Sequence, residues 1–334
     1  MINSFSLEFL ALSKVTICVY SNPNIEDLEH ETHDISGVLL LEQWELVAME
    51  KVSCLNLPVI LKEKIIAFMR QLSDEINEWK IDHSSILECP SLESPIDYVW
   101  KGPGTIDRIK TAKSFIQSKR NDLLKRFQMA CVYWLEEETK QLWDEIGRPA
   151  KILRSTRIKL TRNISDPLLK RAVNEWITLL ISGDVDWSRR PFPRLLPVYC
   201  LNSLIIQGNL LQILYPVEQL YVFIRMMKEG KSEQVKTFCL TQMNEKQFEE
   251  VLKREPLQVY KALSNRPFHP EFHKMVDSIY AYLTESKFIN LMHKMISEKE
   301  RQKPNVYYYE TQLKALWNRS PDRFKQYIWN YPTD

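Results

Sequence analysis

The sequence predicts an all-α protein of a dozen or more helices stacked as hairpins, an irregular α-solenoid. Three observations carry that expectation. Apolar residues return at steps of three and four through most of the 334 residues, which is the period of a helix face. Only 7 residues are glycine, well below the ~7% of ordinary usage, so positions with positive φ are scarce. That scarcity argues against nucleotide-binding loops, tight β-hairpins and flexible linkers. Proline supplies the punctuation instead, with Pro216, Pro256, Pro270 and Pro321 each just ahead of a periodic apolar run.

Bulk composition agrees with a packed helical chain. Hydrophobic residues make up 44% and aromatics 11%, including nine tryptophans, which is ample material for a core. Charged residues make up 26%, yet the formal net charge is only +2, so no global field draws the chain to nucleic acid or acidic lipid. The six cysteines (Cys18, Cys54, Cys89, Cys131, Cys200, Cys239) lie far apart, with no C-x-x-C pair. Cys18, Cys131 and Cys200 have apolar neighbours, where a free thiol acts as a small hydrophobe. The expectation is a reduced intracellular compartment, cytoplasmic with the nucleus left open.

Taken in order, Ile2 to Tyr20 lacks a basic leader and a cleavage site, and its Phe5, Phe9, Leu12 and Thr16 fit one helical face. No uncharged apolar run reaches the ~18 residues of a membrane span. After a polar connection at 22–34, Leu40, Trp44 and Val47 mark a helix. Pro58 opens another, in which Leu61, Ile65, Phe68, Leu72, Ile76 and Trp79 keep steps of three and four. His83 to Gly104 reads as irregular, with Pro90, Pro95 and the Gly102-Pro103-Gly104 turn. It separates a helical region at 1–100 from a helical-repeat region at 105–334.

The central stretch, 119–147, predicts a helical hairpin. Leu123, Phe127, Ala130, Cys131 and Trp134 form one stripe, Glu136, Glu137 and Glu138 interrupt it, and Leu142, Trp143 and Ile146 form the next. Gly147 closes the hairpin as a left-handed cap. Residues 151–163 fit a helix or short alternation equally. Asp166-Pro167 then starts a firm helix with the stripe Leu169, Val173, Trp176 and Leu180, ended by Gly183. Beyond it, Pro216 precedes the stripe Val217, Leu220, Tyr221 and Ile224, with Gly230 as the stop. Asn244 with Gln247 makes a capping-box pattern before Phe248, Val251 and Leu252. Phe272, Val276, Ile279 and Leu283 form one further stripe, and Phe288, Leu291, Met295 and Ile296 another. The aromatic tail at 307–331 predicts a final helical pair.

The segment Phe127-Gln-Met-Ala-Cys131 through Leu142-Trp143 and Gly147 resembles an ankyrin-type helix pair. That family carries Leu-x-x-Ala in the first helix, an acidic residue opening the second, paired apolar residues and a closing Gly. Leu179 to Asp186 is similar to the end of a second repeat, its Gly183 lying 36 residues beyond Gly147 against a family period of ~33. No Thr-Pro-Leu-His turn precedes Phe127, and Trp134 stands where the inter-helix Gly belongs. The resemblance covers about residues 123–186 and implies a protein-binding scaffold without an active site.

Chemistry-bearing motifs are sparse. His269 and His273 stand four apart around Glu271, but Pro270 occupies the place of the Glu in a His-Glu-x-x-His zinc site, so no metal ligand is assigned. No nucleophile elbow, P-loop or dinucleotide fingerprint is present, and neither catalytic residues nor a cofactor are expected. Arg148, Lys151, Arg154, Arg157, Lys159, Arg162, Lys170 and Arg171 gather within 24 residues, with Asp166 the only acid among them. Such a stripe either neutralises phosphates or lies against the neighbouring acids Glu136–Glu138, Asp144 and Glu145. The leading expectation is therefore a non-catalytic scaffold for an unidentified protein partner, away from membranes. The alternative is a nucleic-acid-associated protein using the 148–171 stripe, with an enzyme of unrecognised site third.

Overall fold

The computed structural model describes residues 7–21, 41–87, 96–102, 104–147, 160–183, 205, 207–230, 233–264, 277–301, 313–314 and 316–330. Within them the chain is helical, with no strand and one isolated antiparallel bridge, Trp100 to Ile106. The helices are α1 (Leu7–Tyr20), α2 (Leu41–Ser53), α3 (Val59–Leu87), α4 (Arg108–Gln117), α5 (Leu123–Val132), α6 (Glu136–Ile146) and α7 (Pro167–Ser182). They continue as α8 (Leu210–Ile213), α9 (Pro216–Glu229), α10 (Glu233–Gln242), α11 (Glu245–Arg254), α12 (Pro256–Ser264), α13 (Glu285–Arg301) and α14 (Asp322–Trp329).

The chain divides into two compact units. Unit 1 comprises 1–19, 44–71 and 223–334, and unit 2 comprises 20–43 and 72–222. The long helix α3 contributes its first half to unit 1 and its second half to unit 2. Of its expected stripe, Ile65, Phe68, Leu72, Ile76 and Trp79 are buried and Leu61 is half-buried. The stripe continues past Trp79 through His83 and Ile86 to Leu87, so His83 belongs to this helix and not to the irregular connection expected there. A histidine on an apolar stripe breaks the hydrophobic count without breaking the helix.

Unit 2 is built around α5. Arg126 to Val132 are buried without exception, so α5 is enclosed on every side, beyond the single stripe expected. It packs on α4, α6 and α7. Asp122 starts it by accepting from the Leu124 and Lys125 N–H groups at 2.9 and 3.2 Å. The α7 start follows the same logic: Asp166 accepts from Leu168 at 2.7 Å and Leu169 at 3.1 Å, and Pro167 fills the first helical position. Gly183 ends α7 in the left-handed region, at φ 69° and ψ 0°. Gly147 also has positive φ, 86°, but its ψ of 149° takes the chain away extended, so it is not the left-handed cap expected.

In unit 1, α1 meets the first half of α3 through a Phe9–Phe68 edge contact at 5.6 Å and a Glu8–Lys64 ion pair at 2.9 Å. The α11 capping box is complete, with Asn244 and Gln247 each accepting from the other's backbone N–H at 2.9 and 3.0 Å. At the C-terminal end Phe288 and Phe324 stack at 4.6 Å beside Tyr280, so part of the aromatic tail is core. Arg323 lies 4.6 Å over the Phe324 ring and donates to the Tyr280 carbonyl. Trp329 stays exposed.

Two further expectations are corrected. Cys18 is exposed, as is Cys54, whereas Cys131 and Cys239 are buried, and all four are free thiols. On α9 the residues facing inward are Val222, Phe223, Met226 and Met227. Val217 and Tyr221, expected to face the core, point outward.

Candidate functional site

Most of the basic stripe lies outside the described residues: Arg148, Lys151, Arg154, Arg157 and Lys159 do, and so do His269, His273, Cys89, Cys200 and Tyr307–Tyr309. Arg162, Lys170 and Arg171 are described, and all three are exposed. Three of the neighbouring acids lie beside cations outside the stripe. Glu138 pairs with Lys113 of α4 at 2.7 Å, Glu136 with Lys140 at 2.5 Å, and Glu145 lies 3.7 Å from Arg126. Among the described residues no group of three or more His, Cys, Asp or Glu side chains is placed to hold a metal ion. No described helix is long and apolar enough to cross a membrane.

The chemistry of unit 2 converges instead on a buried node that the sequence did not single out. The second half of α3 supplies Glu75, Trp79, Asp82 and His83, α4 supplies Arg108, and the turn between α5 and α6 supplies Tyr133. The His83 ring stacks on Trp79 at 3.8 Å. Its Nδ1 lies 2.6 Å from the Trp79 carbonyl, which only accepts, so Nδ1 carries the hydrogen. Nε2 of the neutral ring is then the acceptor, and the Tyr133 hydroxyl donates to it at 2.9 Å. Burial, with the Arg108 guanidinium nearby, holds the imidazole down to about 3 from an ordinary 6.5, so it is neutral at physiological pH. Burial likewise pushes the Tyr133 phenol up, which keeps its proton available for that bond.

Arg108 sets the charge of the node. Its side chain is 5% exposed and pairs with Asp82 at 2.5 Å. Burial works against its charge, but Asp82, with Tyr133 and Glu75 behind it, outweighs burial and raises it. Glu75 accepts from the Ile106 N–H at 3.2 Å, and the Arg126 Nε–H donates to the Ile116 carbonyl at 2.6 Å. Each group thus ties one helix to the next, and the arrangement holds three elements in register.

Backbone contacts hold the same corner from the other side. The Tyr133 carbonyl accepts from the Asn209 N–H at 3.0 Å. A Cβ on Gly208 would fall 2.5 Å from that oxygen and 2.8 Å from its carbon, both of them backbone atoms that no rotamer change can move. Gly208→Ala should therefore lower unfolding stability in urea by about 2 kcal/mol, the range of an overpacked core. A loss below ~0.5 kcal/mol, the scale of ordinary surface substitutions, would mean that the backbones separate freely.

The outward side of α8 and α9 is the other feature of note. Ile213, Tyr215, Val217 and Tyr221 are exposed, Val217 at 80% and Tyr215 at 76%. Leu220 and Ile224 lie half-buried on the same side of α9. With Val222, Phe223, Met226 and Met227 buried opposite, α9 is apolar on two opposed faces. The Arg225–Glu229 pair, at 3.0 Å, lies on the flank between them.

Comparison with known proteins adds no relative: no protein-family model, curated protein or solved structure matches the chain.

Proposed function

We propose that the chain is a non-catalytic interaction protein. Its helical hairpins, arranged as an irregular α-solenoid with ankyrin-like pairs, bind a protein partner through an apolar face. The observation that carries this reading is α9. A helix that is apolar on two faces is ordinarily covered on both, and here one of them is exposed. Singly scattered surface hydrophobes mean nothing, but four within nine residues form a local patch. Full burial of Tyr215, Val217 and Tyr221 would contribute on the order of 1.5–3 kcal/mol per side chain before the costs of association. The ankyrin-like reading draws support from Trp134, whose positive φ of 56° is the conformation a glycine would hold at that position.

The test places a photo-crosslinking amino acid at position 215 of the full chain in an extract of its source cells. The expected result is one discrete protein adduct, displaced by excess wild-type chain but not by the Val217→Asp/Tyr221→Asp variant. No adduct, or equal displacement by both competitors, would remove the α9 face from consideration. An adduct destroyed by nuclease would favour the nucleic-acid reading, with exposed Arg162 and Lys170 as the place to look next.

A further inference from the structure

His83 is left unused by the protein-binding reading, and it is the one buried histidine among the described residues; His293, on α13, is exposed. Both its ring nitrogens are engaged by uncharged groups, the Trp79 carbonyl at 2.6 Å and the Tyr133 hydroxyl at 2.9 Å. Among the described residues, the charged groups around it come from two helices. Arg108 of α4 faces it, and Asp82 and Glu75 lie on its own α3. From the α5–α6 turn comes only the Tyr133 phenol, and the 96–100 segment adds the Tyr98 ring edge-on to Trp79. Asp82 is taken by Arg108 at 2.5 Å, and Glu75 accepts from the Ile106 N–H at 3.2 Å.

A proton arriving at Nε2 lands on a nitrogen that now accepts, and the group facing it, the Tyr133 hydroxyl, is a donor in the present arrangement. Arg108, which can only donate, also lies close to that hydroxyl. A reversed hydroxyl would have to turn its own hydrogen towards that cation. The new imidazolium would moreover lie buried beside a guanidinium.

We propose that the His83–Tyr133 contact is an acid-sensitive latch: a proton on Nε2 breaks it, frees the second half of α3 from the α5–α6 turn and opens unit 2. The direction follows from linkage. The closed form holds His83 down at about 3, while an opened chain returns it to 6.5. Between those values only the open form binds the proton, so the closed form's advantage is complete above 6.5 and drains away as pH falls. Each pH unit within that window shifts the balance towards the open form by about tenfold.

The chain carries its own reporters. Cys131 is buried in α5, two residues before Tyr133, and Cys239 is buried in unit 1, while Cys18 and Cys54 are exposed. The full chain is pulsed with a pyridyl disulfide, which stays reactive in mild acid, at several pH values from about 7.5 to about 4.5, spanning the histidine range. Labelled sites are read by mass spectrometry and normalised to Cys54. Labelling of Cys131 should rise about tenfold per pH unit below ~6.5 while Cys239 stays protected. His83→Gln keeps an N–H for the Trp79 carbonyl but takes up no proton, and it should flatten the dependence. Protection of Cys131 across the range, or simultaneous opening of Cys131 and Cys239, would overturn the latch. Should His83→Gln fail to fold, ring NMR of the wild-type chain decides. The latch requires the neutral Nδ1–H form for as long as Cys131 stays protected. A His83 ring that titrates normally inside a closed unit 2 would refute it.

Discussion

Arg108→Met should cost about 3 kcal/mol of stability, the lower end of the range for removing one partner of a buried pair. The lower end applies because Asp82 keeps some access to water, at 17% side-chain exposure, while Arg108 has 5%. The loss comes less from the forfeited attraction than from the carboxylate left behind in a low-dielectric site. Adding Asp82→Leu to Arg108→Met should therefore restore most of that stability, to within about 1 kcal/mol of wild type, because the Asp82 carboxylate is then no longer buried without its partner. Urea unfolding of the two single variants and the double variant closes the cycle. If the single losses simply add, the two side chains are not coupled and the node is not one network.

That node was nearly invisible in the sequence, for identifiable reasons. Helix boundaries are local, so Asp166, Pro167 and Gly183 framed α7 correctly, and Asn244 with Gln247 marked the start of α11. The α3 stripe was also legible, and its steps of four and three pass from Trp79 to His83 and on to Ile86. The signal for His83 was therefore present, but a titratable residue is discounted when only apolar residues are counted. Arg108, Tyr133 and Gly208 gave no such signal. They come together only when three separate segments pack, and contacts spanning 26 positions (Arg108–Asp82) or 50 (His83–Tyr133) leave no period in the chain. The outward turn of Val217 and Tyr221 was hidden for a different reason. A helix apolar on two faces offers two valid stripes, and nothing local says which one the core takes.

Trp134 shows how the corner is held in spite of its own backbone. The Leu135 N–H donates to the Ala130 carbonyl at 3.0 Å and the Trp134 N–H to the Cys131 carbonyl at 3.2 Å, the paired bonds of a Schellman cap closing α5. The residue in the left-handed position of that cap is normally glycine, because a Cβ there costs roughly 1–2 kcal/mol. Here it is tryptophan, with φ 56°, and the ring is buried against Trp176 at 5.7 Å. Burial of so large a side chain outweighs the strain. Two truncations separate the terms. Trp134→Ala empties the site but keeps the Cβ, and should lose about 4 kcal/mol, within the range for Trp to Ala in a core. Trp134→Gly empties the same site and also relieves the backbone, so it should be less destabilised than the alanine variant by about 1 kcal/mol. This is the reverse of the usual order, in which glycine is the worse residue within a helix. Both values come from urea titrations of the full chain, and an alanine variant as stable as the glycine variant, or more so, would show that the turn carries no left-handed strain.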